Sequence, residues 1–141
     1  MLKNKIEGFS LIELLVVVAI IGTLAAAGTL AYNGYIAGTK SSAAKNSMQQ
    51  IALAQQEYYS INGEYVTTVS GTCGVPAGSS TINSDLFDTV GDDKVIDVDG
   101  WEFCIEDHAT GYKITACAIK DAACDGDKYT LNAKGSNNFN D

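Results

Sequence analysis

One carboxylate lies inside an otherwise apolar segment near the start of this 141-residue chain. Glu13 follows Phe9 by four residues, and residues 14–32 contain no charged side chain. Nineteen helical residues at about 1.5 Å each span roughly 28 Å, which is close to the hydrocarbon thickness of a bilayer. A carboxylate in a membrane helix costs about 2.5 to 3.5 kcal/mol on insertion scales and usually has a functional partner. Glu13 is therefore predicted to bind a cation, and the candidate cation is an amino terminus.

The residues before this segment suggest where that amino terminus comes from. Residues 1–8 carry Lys3 and Lys5 but have no apolar core, whereas an ordinary secretory signal is cut after its apolar region. A cut between Gly8 and Phe9 would remove only the basic tip and leave the apolar helix on the mature chain. Lysines before an apolar span also favour retention of this end in the cytoplasm and export of the other end.

Residues 5–22 read Lys-Ile-Glu-Gly-Phe-Ser-Leu-Ile-Glu-Leu-Leu-Val-Val-Val-Ala-Ile-Ile-Gly. This run resembles the class III signal of type IV pilins and of the pseudopilins of type II secretion systems. The resemblance implies that a prepilin peptidase cuts after Gly8 and methylates Phe9, and that Glu13 faces the amino terminus of a neighbouring subunit. It further implies a homo-polymer, an assembly machinery with a motor ATPase, and passage from the inner membrane to a cell-surface pilus.

Two other functions share some of these features. A pseudopilin of a type II secretion system has the same amino-terminal signature and differs in the domain that follows. A single-pass anchored periplasmic binding domain would use the helix only as an anchor, with Glu13 reaching the membrane interface, but it leaves the Gly-Phe junction unexplained. For a pilus subunit, the sequence leaves adhesion, twitching motility and DNA uptake open as uses of the filament.

The charge of the chain argues against direct binding of nucleic acid. The net charge is −8, and all nine basic residues are Lys. An acidic surface repels phosphate, and the bidentate fork with which Arg holds a phosphate is missing. No nucleic-acid partner is expected.

The cysteines at 73, 104, 117 and 124 lie in the part that is predicted to leave the cytoplasm, where disulfides persist. They form no Cys-x2-Cys pair and the chain has a single histidine, so their spacing does not indicate zinc. Two disulfides are expected, with three connectivities open. The short, turn-rich loop between Cys117 and Cys124 favours that pair, together with Cys73 and Cys104.

The remaining polar groups indicate neither catalysis nor a cofactor. Asp97 and Asp99, in an acidic run with Asp92 and Asp93, are weak calcium candidates, but their spacing does not match an EF-hand loop and favours a solvated loop. His108 is predicted to be a surface residue. Without it no Ser/His/Asp or Cys/His set can be assembled, so the chain is not expected to be an enzyme.

Four segments are predicted to position these residues. They are a leader at 1–8, the membrane and assembly half of a long helix at 9–32, an amphipathic half at 33–62, and a disulfide-containing, β-rich head at 63–141. Asn62-Gly63 is expected to end the helix. Its apolar stripe is expected to comprise Ala37, Ala44, Met48, Ile51, Ala52, Tyr58 and Tyr59.

In the head, Ser84-Asp85 is expected to begin a helical turn that runs to Val90. Strands are expected at 94–98, 101–106, 112–119 and 128–132, paired antiparallel because the connections are short. Along the second strand, apolar side chains alternate with Glu102, Cys104 and Glu106, which predicts one buried face and one wet face. The predicted fold class is α+β, a long amino-terminal helix packed on a small antiparallel sheet as in type IV pilins.

Overall fold

The computed structural model describes residues 8–68, 73, 78–89, 91, 93–121 and 123–139. Within them lie helices α1 (Leu11–Asn62) and α2 (Gly78–Phe87) and strands β1 (Trp101–His108), β2 (Gly111–Ala118) and β3 (Lys128–Asn132). The predicted α+β fold, a long amino-terminal helix packed on a small antiparallel sheet, is confirmed. Leader residues 1–7, most of the loop before α2, Val90 and Asp92 lie outside the described residues.

Two compact units make up the chain, residues 1–39 and residues 40–141. In the first unit, every described residue from 8 to 35 is exposed to solvent. This part contains the apolar window of α1, which is long and apolar enough to cross a membrane. The four-segment division predicted above stays a prediction.

The end of α1 is a glycine cap. Gly63 adopts a φ of 76°, and its N–H donates to the carbonyl of Tyr59 at 2.8 Å. Glycine takes this left-handed conformation without the steric cost that a Cβ brings, so it commonly follows the last helical residue. The predicted stop at Asn62-Gly63 is confirmed.

The described strands form an antiparallel sheet in the order β1-β2-β3. Trp101 pairs with Ala118 at one end of the β1–β2 ladder, and Ile114 pairs with Leu131 in the β2–β3 ladder. The predicted strand at 128–132 matches β3, while β1 extends two residues further than predicted. β2 begins and ends one residue earlier than predicted.

One face of this sheet packs against residues 44–51 of α1 within the second unit. Ala44, Met48 and Ile51 are fully buried there. Tyr58, by contrast, is only half-buried, and Tyr59 and Ala37 are exposed, so the predicted stripe was too long. The described core comprises Ala44, Met48, Ile51, Ile82, Ile96, Phe103, Ile105, Tyr112, Ile114, Ala116, Tyr129 and Leu131.

The predicted strand at 94–98 was wrong. Asn83 of α2 binds this segment through its side chain, accepting from the N–H of Val95 and of Ile96 and donating to the carbonyl of Ile96. These bonds at 2.8 to 2.9 Å satisfy the backbone that a neighbouring strand would otherwise satisfy. Residues 95 and 96 therefore form a bend that is hydrogen-bonded to α2, and they do not pair with a strand.

The predicted helix start at Ser84-Asp85 was also wrong, since both residues lie inside α2. The helix begins at Gly78, where a Cβ would collide with the carbonyl oxygen of Phe103. The first turn can approach β1 this closely only because residue 78 has no side chain. Ser79 then bonds to the strand, accepting from the N–H of Phe103 at 3.0 Å.

The second face of β1 is covered, contrary to the predicted wet face. Cys104 and Glu106 are only 5% and 6% exposed. α2 and Cys73 lie over this face, which binary alternation in β1 alone could not reveal. One face of the sheet thus packs on α1 in the core that Ile82 of α2 also joins, while Cys104 and Glu106 on the other face bind Cys73.

Candidate functional site

Ser10 and Glu13 bind each other at the amino-terminal end of α1. The Ser10 N–H donates to Oε2 of Glu13 at 2.8 Å, and the Glu13 N–H donates to Oγ of Ser10 at 3.3 Å. This reciprocal pair is a capping box, which satisfies two backbone donors that a helix start otherwise leaves unpaired. The carboxylate is therefore held over the first turn.

Gly8 and Phe9 precede this cap directly. Both are exposed, and the exposed fraction of Phe9 is 82%. An ionised carboxylate can accept several hydrogen bonds, so Glu13 retains acceptor capacity after it has bound Ser10. A cation that approaches the start of the helix would meet a negatively charged group in a fixed position.

Ser10 is the residue of this site that sequence reasoning missed. Ser-x-x-Glu immediately before an apolar run is the recognised signature of a capping box, and residues 10–13 match it.

The cysteines pair as the loop lengths favoured. Cys73 is bonded to Cys104 with a Cα–Cα separation of 5.9 Å, and Cys117 to Cys124 with a separation of 5.6 Å. The first disulfide attaches the segment before α2 to β1, and the second closes the loop after β2. Both pairs lie in the second unit.

Glu106 forms a buried polar network beside the first disulfide. It accepts from the N–H of Cys73 at 2.8 Å and from Nζ of Lys113 at 2.6 Å, and Oγ1 of Thr115 lies at 3.5 Å. Burial alone would raise the pKa of Glu106, but the hydrogen bonds from Lys113, Cys73 and Thr115 and the charge of Lys113 outweigh it. The pKa of Glu106 therefore lies below its usual value.

The weaker candidates are dispersed. Asp97 and Asp99 are exposed, and Asp99 forms an ion pair with Lys40 of α1. The hydrogen bond from Lys40 and its positive charge lower the pKa of Asp99. Within the described residues, no group of three His, Cys, Asp or Glu side chains could hold a metal ion. His108 is exposed and its Nδ1 lies 2.9 Å from Oγ1 of Thr110.

Comparison with known protein families places both parts of the chain. Residues 3–29, a range that contains Gly8, Phe9 and Glu13, match the prokaryotic N-terminal methylation motif. Residues 31–141 match the family described as type IV minor pilin ComP, DNA uptake sequence receptor. No solved structure matches the chain.

Two curated relatives are fimbrial proteins. The chain is 40% identical over 96 residues to the fimbrial protein EcpC of Eikenella corrodens, which covers 53% of this chain and 63% of that protein. It is 59% identical over 39 residues to the type IV major fimbrial protein FimA of Dichelobacter nodosus, which covers 28% of this chain and 24% of that protein. The chain thus spans less than two thirds of either relative.

These matches are to structural filament proteins and not to enzymes. The methylation motif covers the exposed apolar start of α1, and the pilin domain covers residues 31–141. The chain therefore belongs to the type IV pilins, in the family of the type IV minor pilin ComP.

Proposed function

We propose that this pilin is a pilus subunit that is cut after Gly8, methylated on Phe9 and polymerised through the apolar part of α1. The observation that carries the proposal is the continuous exposure of that apolar helix, with Glu13 fixed at its start by Ser10. So large an apolar surface must be covered, by lipid before assembly and by other helices afterwards. The precursor would wait in the inner membrane and the product would be a cell-surface filament.

Assembly would place the methylated amine of one subunit against Glu13 of its neighbour. This pairing offsets the cost of moving a carboxylate and an ammonium group out of water. Contacts between two different surfaces of identical subunits generate a helical filament when they do not close into a ring. A prepilin peptidase and a motor ATPase are the partners that this scheme requires.

A pseudopilin and an anchored binding domain are the competing functions. A pseudopilin would be processed in the same way and would stay associated with the membrane. An anchored domain would need no contact to Glu13 from another subunit. The fimbrial relatives and the pair of disulfides favour a subunit exposed outside the cell.

Direct reading of DNA by this subunit is not part of the proposal, although the matched family is described as a DNA uptake sequence receptor. Residues 63–141 contain 14 of the 17 acidic residues and 5 of the 9 lysines. Lys40, Lys45 and Lys113 already bind Asp99, the carbonyl of Phe139 and Glu106. A role in DNA uptake would then fall to the filament or to other subunits.

The test is intact-mass spectrometry of filaments sheared from cells that express the wild-type chain or Glu13→Ala. For the wild type we expect sheared material that starts at a methylated Phe9 and lacks four cysteine hydrogens. For Glu13→Ala we expect processed protein in the membrane and no sheared filament, because the neighbour's amine has lost its counter-charge.

Glu57→Ala is the matched control, since Glu57 is an exposed glutamate on the same helix. It should leave sheared filaments in place. Processed wild-type protein confined to membranes would favour the pseudopilin, and a Glu13→Ala variant that assembles normally would exclude the proposed pairing. Residues 1–8 retained in assembled material would contradict the cleavage.

A further inference from the structure

The outer edge of β3 pairs with none of the described strands, and it has no role in the proposed function. β3 is the last strand in the order β1-β2-β3 within the described residues. Its inner edge pairs with β2, so its outer edge carries backbone groups that could accept a further strand. In this chain a segment near the carboxyl terminus covers that edge.

Asn138 binds the middle of the edge through three hydrogen bonds. Its Oδ1 accepts from the N–H of Thr130 at 2.6 Å, and its own N–H donates to the carbonyl of Thr130 at 3.3 Å. Its Nδ2 donates to the carbonyl of Lys128 at 3.3 Å. The side-chain amide thus imitates the peptide group that a neighbouring strand would offer.

The end of the edge is closed by the turn that follows β3. The N–H of Asn132 donates to the carbonyl of Ser136 at 3.0 Å, and the N–H of Gly135 donates to the carbonyl of Asn132 at 2.9 Å. Leu131 and Asn137 form an antiparallel bridge in the same place. This carboxyl-terminal segment and the turn thus provide hydrogen-bond partners for the carbonyl of Lys128 and for the N–H and carbonyl of Thr130 and of Asn132.

A second anchor ties the same segment to α1. Nζ of Lys45 donates to the carbonyl of Phe139 at 2.7 Å, and the Phe139 ring meets the Tyr129 ring edge-on at 6.2 Å. Lys45 also lies over the Tyr129 ring, 4.4 Å from its centroid. The last cysteine is Cys124, so this attachment is entirely non-covalent.

We propose that residues 136–139 are a strap that prevents β3 from pairing with β3 of a second copy of this chain. Thr130 directs both its N–H and its carbonyl to the strap, so two uncovered β3 strands could pair antiparallel with Thr130 opposite Thr130. Such a two-fold contact closes on itself, whereas a filament needs contacts that do not close. The benefit to filament growth depends on the proposed function, but the masking of the edge does not.

The first test is residue-resolved hydrogen exchange on the detergent-solubilised full chain. At a protein concentration too low for dimers to form, Asn138→Ala should speed exchange of the Thr130 amide by about tenfold or more, because that amide loses its acceptor. The Leu131 amide lies on the paired side of the strand and should change little. An unchanged Thr130 amide in folded Asn138→Ala protein would overturn the proposal.

The second test identifies the occupant of the uncovered edge. Directly opposed residues of this kind have Cα atoms about 5.5 Å apart, a distance that a disulfide can bridge. Thr130→Cys combined with Asn138→Ala should therefore give a disulfide-linked dimer under mild oxidation, while Thr130→Cys alone stays monomeric. An uncovered edge that yields no dimer would equally overturn the proposal.

Asn137→Ala is the matched control, since its side chain bonds to Gly135 and Phe139 within the turn and strap. It should leave the Thr130 amide protected and the Thr130→Cys chain monomeric. If Asn138→Ala fails to fold, Asn138→Leu keeps a side chain of similar size and loses both the acceptor for Thr130 and the donor to Lys128. It should show both effects, and their absence would count against the strap.

Discussion

Glu106 is a buried carboxylate of β1 that forms hydrogen bonds within the head. It lies on a strand face that alternation predicted to be wet, yet it is buried and binds Lys113 and the Cys73 backbone. A buried carboxylate is tolerated only when its hydrogen bonds and a counter-charge offset its desolvation. Here that network also attaches the Cys73 segment to the sheet.

Glu106→Gln is expected to lower the free energy of unfolding of the head by about 1 to 3 kcal/mol at pH 7. Because the pKa of Glu106 is lower in the folded state, the unfolded state binds more protons at pH values between the folded and the unfolded pKa. The wild-type contribution is therefore complete above the unfolded pKa of about 4.3 and is lost as pH falls through the folded pKa. The variant should lack this part of the pH dependence.

The free energy of unfolding of both proteins can be measured by urea titration at pH 7 and at several pH values below 5. The fluorescence of Trp101, the single tryptophan, reports the transition. Asp107→Asn is the control, since Asp107 is the exposed neighbouring carboxylate on β1. It should change the stability at pH 7 by less than about 0.5 kcal/mol. Equal effects of both substitutions would mean that the Glu106 network contributes nothing.

At the scale of elements, the β1–β2 hairpin and the chain after α1 are joined by aromatic rings. Tyr65 stacks on Tyr59 with centroids 4.4 Å apart and meets Tyr112 edge-on at 4.9 Å. Gly111, at the start of β2, has a φ of 116°, and a Cβ there would lie 2.7 Å from Cε2 of Tyr65. The hairpin can support this ring only because residue 111 is glycine.

Gly111→Ala should destabilise the head through both backbone strain and displacement of Tyr65. Gly100→Ala is the matched control, because Gly100 also has a positive φ, 77°, but has open space at its Cβ position. We expect Gly111→Ala to cost about 1 kcal/mol more than Gly100→Ala, with a change in the tyrosine near-ultraviolet circular dichroism. If both substitutions lower the free energy of unfolding equally, displacement of Tyr65 costs nothing beyond the backbone strain.

At the scale of the whole molecule, charge decides which partners are suitable. The chain has a net charge of −8, and three of its lysines are bound to groups of the same chain. Affinity for a DNA duplex depends mainly on neutralisation of phosphates by cationic side chains. A net negative charge opposes this neutralisation, so the charge of the chain predicts weak binding to a duplex.

We therefore expect the detergent-solubilised chain to bind duplex DNA with a Kd weaker than about 10⁻⁴ M at physiological salt. Fluorescence anisotropy with labelled duplexes of varied sequence measures this, and lowering the salt concentration tests for a weak electrostatic component. A sequence-dependent Kd in the micromolar range would contradict the charge argument and would assign DNA recognition to this subunit.

Local patterns were enough to predict several parts of the molecule. The apolar run with its single carboxylate identified the exposed amino-terminal helix, Asn62-Gly63 identified its end, and turn signals on either side of a short strand pattern identified β3. Each depends on neighbours in the chain, through side-chain periodicity or the conformational freedom of glycine. The capping box of Ser10 and Glu13 is equally local, because its Ser-x-x-Glu pattern lies within four adjacent residues.

Other features depended on contacts between residues far apart in sequence. Asn83 binds the backbone at 95–96 and replaces a predicted strand, and α2 with Cys73 covers the face of β1 that was expected to be wet. The strap is held by Lys45 of α1, which donates to the carbonyl of Phe139, and by Thr130 of β3, which donates to Asn138. The sequence by itself thus determined the helix, its family signature and the strand alternation, because these are set by adjacent residues. Only the tertiary structure decided which surfaces are covered, because burial depends on what the rest of the chain brings against them.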